Sequence, residues 1–179
     1  MVKLKSIVDY KWEEKNYPGH LIASHKDGKV IAYSINVNGQ GMVRLMHTGI
    51  NKRDLIKGMS SEVLDLQFAY LSADIVIGCI EETALHIHKV QIDLEEESMN
   101  VIRLLKIENP LADHVPYLDK INWCPYVPEL EDDNDDYSGL LLTWVKGSKY
   151  ECYSIKTIIE TYKVGVHHIK VIIVETANT

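Results

Sequence analysis

The sequence predicts an all-β fold, a partial β-propeller of about three to four blades, and three observations predict it. Short runs rich in β-branched residues alternate with tight polar turns along the chain, which is the composition of strands joined by hairpins. One strand–turn–strand pattern recurs three times, and self-similarity of this kind marks repeat architectures. The two segments with helical character, Ser154 to Tyr162 and Ser60 to Ala69, both contain β-branched residues, so strand is preferred to helix in each.

Taken in order, Leu21 to Ser24 is followed by the turn pair Asp27-Gly28 and then by Val30 to Ile35. Asp-Gly between two such runs signals a hairpin, because both residues tolerate positive φ. A second loop, Asn38-Gly39-Gln40-Gly41, leads into Met42 to Met46. Val63, Leu66 and Phe68 form a half-buried strand pattern around Asp65 and Gln67. Asp74 to Ile80 and Ala84 to Val90 form the next pair, joined by Glu81-Glu82-Thr83, and Val101 to Ile107 continues the series. Two acidic stretches, one holding Asp93, Glu95, Glu96 and Glu97 and one running from Glu129 to Asp136, are expected to be mobile excursions, since like charges repel and cannot be buried. Val171 to Val174 reads as one more buried strand.

The repeat places a bulky ring two residues before an aliphatic, at Tyr33, His88 and Tyr153. In propeller repeats of the WD40 type this ring is usually Trp followed by Asp. Here the following residues are Ser34, Lys89 and Ser154, so the repeats are degenerate. Upstream, Phe68 and Trp123 each stand two residues after an aliphatic, as early-strand residues packed between neighbouring blades would. The ring spacings are 55 and 65 residues, against about 40 to 45 for one repeat, and the acidic stretches are taken to hold the excess. On this reading residues 1–179 form a single partial WD40 region, with blades ending near 37, 92 and 156 and a further strand over 164–175.

Charge and cysteine content narrow the function classes. Lys and Arg number 19 against 26 Asp and Glu, a net charge of −7, which argues against broad wrapping around phosphate backbones. Lys3, Lys5, Lys52, Arg53 and Lys57 read as a solvated face. Cys79, Cys124 and Cys152 are scattered and odd in number, which fits a reducing compartment without a disulfide framework. No stretch has the roughly 20 apolar residues of a membrane span, and no signal peptide is recognised, so a cytosolic or nuclear location is expected.

Candidate chemistry is sparse. His86 and His88 share one strand face, but a closed zinc site needs two more ligands, so both are assigned to blade packing and surface placement. His167-His168 alternates faces and is weaker. Asp132, Asn134 and Asp136 open a calcium-loop spacing that fails at Tyr137 and Thr143. Cys124, beside Trp123 and Pro125, reads as a buried structural thiol. No residue is assigned to catalysis, to a metal or to a cofactor. Two classes stay open on the residues alone: a WD40-type interaction module in any pathway, and a small hydrolase using His and Asp side chains. The hydrolase requires a pocket where His and carboxylate groups converge with perturbed pKa values.

Several segments carry a family resemblance: Tyr10 to Lys15, Gly19 to Ala23, Gly41 to Arg44, Leu55 to Gly58, Val63 to Leu71, and above all Ile121-Asn122-Trp123-Cys124-Pro125-Tyr126-Val127-Pro128-Glu129 before an acidic run. From about residue 7 to 155 the chain resembles the propeller of the enhancer of mRNA decapping protein 4 family. The resemblance implies a cytoplasmic, non-catalytic scaffold of processing bodies. Its implied partners are the decapping enzyme and its activators, with indirect association with mRNA and none with membrane. The family has a propeller of about seven blades, a long linker and a helical domain, so the chain reads as a fragment, a truncated product or a divergent short relative. Such a piece is expected to be poorly soluble or to self-associate, because open blade edges invite pairing.

Overall fold

The computed structural model describes residues 8–72, 74–108, 115–125 and 140–162. Three two-residue turns set the strand registers. Asn38-Gly39 joins β2 (Val30–Val37) to β3 (Gln40–His47), with Val37 opposite Gln40. Both turn residues have positive φ, 54° and 82°, the conformation that matches the right-handed strand twist. Glu82-Thr83 joins β6 (Ile75–Glu81) to β7 (Ala84–Asp93), and Gly147-Ser148 joins β10 (Leu141–Lys146) to β11 (Lys149–Ser154).

Each hairpin belongs to one antiparallel sheet. The first sheet adds β1 (Ile22–Ser24) and β4 (Lys52–Ile56), in the order β1-β2-β3-β4. The second adds β5 (Asp65–Phe68) and β8 (Ser98–Glu108), in the order β5-β6-β7-β8. The third adds β9 (Lys120–Trp123), in the order β11-β10-β9. The innermost strands β1, β5 and β9 lie side by side, and β4 runs beside β8 at the periphery. This radial stacking of sheets is the arrangement of propeller blades.

Period-two alternation puts each blade's apolar residues on two faces. Between the first and second blades lie Val30, Ala32, Val43, Leu45, Ile56, Leu66, Phe68 and Ile77. Between the second and third lie Val76, Ile80, Leu85, Ile87, Ile121, Trp123, Leu142 and Trp144. Phe68 and Trp123 therefore sit in the blade joints, as their early-strand positions suggest. The second and third blades approach closely at Gly78, where a Cβ would stand 3.0 Å from Ile121 Cδ1 and 3.3 Å from Trp123 Cζ2.

The repeat is real, but its first copy is offset by one strand. His88 and Tyr153 each stand four residues after the first paired residue of the third strand in their blade. The residue at that offset in the first blade is Arg44, not Tyr33, which is its cross-strand partner on β2. The sheets end at Ile56, Glu108 and Ser154, so limits at 37 and 92 fall inside the first two sheets. The spacing from Arg44 to His88 is 44 residues, within the usual repeat length. Ring chemistry alone selects the second-strand tyrosine instead.

Two local expectations change. Asp93 to Glu97 is a tight turn of the longest hairpin: Asp93 Oδ1 accepts the amides of Glu95 and Glu96, both at 2.9 Å. An Asx turn supplies the backbone bonds that charge repulsion alone would not predict. Residues Ile155–Tyr162 form a helix, α1, rather than a strand. Ile155, Ile158 and Ile159 make an i, i+3, i+4 stripe on the second joint, and Ser154 Oγ accepts the Thr157 amide at 3.4 Å as an N-cap. Ser60 to Ala69 is linker and strand, as preferred. The second acidic stretch and the 164–175 strand lie outside the described residues.

Candidate functional site

The polar groups buried in the blades converge on the joints. Glu81, expected in an exposed turn, is the last paired residue of β6 and is 0% exposed. Its Oε2 accepts from the Ser60 amide at 2.6 Å, the Ser60 hydroxyl at 2.7 Å and the Ser61 amide at 2.9 Å. Its Oε1 lies 2.8 Å from His86 Nε2. Burial opposes ionisation of Glu81, but these donors outweigh it and hold the carboxyl at about 2. His88 stacks on His86 at 6.3 Å. Burial first, then the neighbouring His86 and Arg103, push its pKa down to about 3, so the ring is neutral. Both histidines thus serve blade packing, and neither reaches the surface. Among the described residues, no three His, Cys, Asp or Glu side chains form a metal cluster.

A second joint runs along the innermost strands. Asp65, which the strand pattern assigned to the polar face, is 0% exposed. Its Oδ1 accepts the His20 amide at 2.7 Å and lies 3.0 Å from His20 Nδ1, while Oδ2 accepts the Ile121 amide at 3.0 Å. Two residues on, Gln67 Oε1 accepts the Trp123 amide at 3.0 Å, and Trp123 Nε1 donates to the Gln67 carbonyl at 2.9 Å. β5 and β9 share no ladder, so side chains do the work of strand pairing. In the third blade, Trp144 Nε1 donates to Asp119 at 3.1 Å, and Lys146 lies 4.0 Å from the Trp144 ring and 2.5 Å from Glu151. Tyr153 donates to the same Glu151. β10 itself was not among the expected strands, although Leu140, Leu142 and Trp144 alternate as a half-buried strand does.

An open groove of about 640 Å³ lies between the first two blades. It lies at the ends of β3 and β7 and is lined by Asp27, Lys29, His47, Asp74, Lys89 and Asp93, among others. Lys89, the residue in place of the usual Asp of the repeat, bridges its floor with an ion pair to Asp74 at 3.0 Å. Charges of both signs on an apolar base of Ile75, Val90 and Ile92 suit a polypeptide segment.

The remaining candidates separate. Cys79 is the buried thiol, its pKa pushed up by burial, and Cys152 is exposed. Cys124 is half-buried instead of buried: Trp123 fills the joint, so the next side chain on the strand faces away. Lys52, Arg53 and Lys57 are exposed, and Arg53 pairs with Asp9 at 2.6 Å. Lys3, Lys5, Asp132, Asn134, Asp136, His167 and His168 lie outside the described residues. No described helix is long and apolar enough to cross a membrane.

Comparison with known proteins is consistent with this architecture. Residues 1–175 match the family model described as the WD40 region of Ge1, enhancer of mRNA-decapping protein. The enhancer of mRNA-decapping protein 4 homolog of Drosophila melanogaster is 44% identical over 174 residues, which is 92% of this chain and 13% of that protein. The enhancer of mRNA-decapping protein 4 of Xenopus laevis is 32% identical and that of Homo sapiens 28%, each over 94% of this chain and 12% of the relative. The chain therefore spans 12 to 13% of the length of these curated relatives.

Proposed function

Because the chain belongs to the family of the WD40 region of Ge1, enhancer of mRNA-decapping protein, we propose that it is a non-catalytic scaffold of the mRNA decapping machinery. In this reading residues 1–179 act as one WD40 region that binds proteins, the decapping enzyme and its activators among them. The complex works in the cytoplasm, in processing bodies, and meets mRNA through its partners. The family match over residues 1–175 carries the reading. Two structural features support it. Among the described residues, the His–carboxylate pair with both members buried, His86 with Glu81, is 1% and 0% exposed, out of reach of any substrate, and in the His20–Asp65 pair both carboxylate oxygens are taken by backbone amides, which disfavours the hydrolase. The groove between the first two blades offers charge of both signs, as protein interfaces do. Self-association is part of the proposal, since β11 is the outer strand of its sheet among the described residues.

The test is affinity purification of the tagged full chain from cells, with partner identification by mass spectrometry. Decapping or decay factors are expected with the wild type and reduced with Lys29→Glu/Asp93→Lys, which reverses charge on both sides of the groove. A partner set without any decay factor would refute the pathway. Unchanged recovery with the double variant would refute the groove as the contact. Light scattering on the purified chain is expected to find dimers or larger species, and a monodisperse monomer would overturn self-association.

A further inference from the structure

The first blade has a face turned away from the second, and an extended N-terminal segment covers it. Val8, Tyr10 and Trp12 alternate along this segment and pack on Tyr33, Ile35 and Met46. Tyr10 and Trp12 meet edge to face at 5.6 Å, and Trp12 meets Tyr33 at 6.3 Å. Trp12 Nε1 donates to the Ser34 carbonyl at 3.1 Å, and the Tyr10 hydroxyl exchanges bonds with the Asn36 backbone at 3.0 and 3.2 Å. The segment is thereby fixed, yet it does not seal against the sheet. A cavity of about 250 Å³ remains between them, lined by Tyr10, Trp12, Tyr17, Glu13, Asn36 and Glu62, among others.

The chemistry of that lining is specific. Three aromatic rings and two carboxylates surround one small space, the combination that holds a cation by ring quadrupole and charge together. The chain already supplies such a cation at its rim. Lys15 Nζ lies 5.2 Å from the Tyr17 ring centroid, 2.8 Å from Glu62 Oε2 and 3.5 Å from Glu13 Oε2. Glu62 is itself oriented by Asn36 Nδ2, 2.5 Å from Oε1. The Glu62 hydrogen bond raises the pKa of Lys15, against desolvation, which lowers it. The Lys15 side chain is still 41% exposed and that of Glu62 40%, so the ammonium sits at the mouth and can leave it.

We propose that this pocket is a docking site for one basic side chain, an Arg or Lys carried on a segment of a protein partner, and that Lys15 is its intramolecular competitor. The incoming cation takes the Glu62 carboxylate and the aromatic walls, and Lys15 swings into solvent. The site lies on the far side of the first blade from the groove, and its existence does not depend on which pathway the partner belongs to.

The competitor makes the proposal testable by a gain that structural damage does not mimic. The probe is a blocked five-residue peptide, Gly-Ser-Arg-Ser-Gly, with a Gln-for-Arg peptide as control, titrated into the full chain at low salt. The readout is the NMR signal of the Trp12 indole N–H. The Arg peptide is expected to shift it and the Gln peptide to leave it in place. Lys15→Met keeps the aliphatic cover on Tyr17 and is expected to tighten binding about threefold to tenfold by removing the competitor. Glu62→Gln is expected to weaken it about tenfold, while Glu82→Gln, on an exposed turn, leaves it unchanged. If Lys15→Met leaves affinity equal or weaker, or if the shifts fall away from Trp12, the proposal is wrong.

Discussion

Asp65 offers the most direct test of how the blades are held together. Asp65→Asn changes one oxygen to an amide group and leaves the shape intact. The native carboxylate accepts from the His20 amide at 2.7 Å and the Ile121 amide at 3.0 Å, on separate oxygens and with no solvent access. The amide side chain keeps one acceptor and turns a donor toward the other backbone N–H. One charge-assisted bond is lost and a buried donor faces a donor, together roughly 2 to 4 kcal/mol. That is a large part of the roughly 5 to 15 kcal/mol that stabilises a domain. It corresponds to a fall in Tm of about 6 to 12 °C for a chain of this size. Urea unfolding followed by tryptophan fluorescence reports it, since Trp123 and Trp144 are 3% and 0% exposed in the second joint. Hydrogen exchange adds a local reading: the Ile121 amide is expected to lose protection before the β6–β7 ladder does. Glu82→Gln, exposed in its turn, is the control and should stay within about 0.5 kcal/mol. A change below about 0.5 kcal/mol for Asp65→Asn, with Ile121 protection unaltered, would refute the view that this carboxylate joins the blades.

The same geometry sets other outcomes. Gly78→Val, whose Cβ would meet Ile121 and Trp123 at 3.0 and 3.3 Å, is expected to destabilise by about 1 to 3 kcal/mol in urea unfolding. His88 binds a proton below its ordinary 6.5 when unfolded but only near 3 when folded, so its contribution is full above pH 6.5 and declines as pH falls toward 3. The wild type should lose about 2 kcal/mol between pH 7 and 5 that His88→Leu does not lose, and parallel urea midpoints for the two would count against the neutral buried ring. Glu81 titrates in a lower window: with the folded carboxyl at about 2 against 4.5 when free, its contribution is present above pH 4.5 and lost as pH drops toward 2. Glu81→Gln should therefore flatten the stability curve below pH 4.5, as read by unfolding midpoints between pH 2.5 and 6.

Blades and joints were not equally legible in the sequence. Turn positions were in part: the Asn38–Gly41 loop holds the φ > 0 pair Asn38-Gly39, and the Glu81–Thr83 connection holds the two-residue β6–β7 turn, whereas the β10–β11 turn was not read. Strand alternation found Phe68 and Trp123, because a large ring on an innermost strand has only a blade joint in which to bury itself. The order of strands within a blade was not legible. Tyr33 and Arg44 are direct cross-strand partners, and nothing in the local sequence says that the arginine holds the repeat position. Helix α1 was hidden by its β-branched residues, although Ile155, Ile158 and Ile159 already showed helical spacing.

The buried acids escape a strand-pattern reading for a reason that bears on function. Asp65 and Gln67 alternate with Leu64, Leu66 and Phe68, and a polar residue at alternate positions of a strand reads as solvent-facing. That inference assumes that a strand's second face meets water. In stacked blades it meets the backbone of the next blade, whose amides on β9 have no ladder partner on that side, so a carboxylate or carboxamide there stands in for a strand. The same logic places Glu81 against the Ser60 and Ser61 amides of the linker between the first two blades. Each joint thus takes a polar group that would otherwise be available at the surface. The two surfaces proposed above for partners, the groove at the strand ends and the pocket beneath the N-terminal segment, instead hold the ion pairs Lys89–Asp74 and Lys15–Glu62. Variants in the joints should therefore lower stability and binding together, whereas variants at Lys29, Lys15 or Glu62 should alter binding with little change in stability.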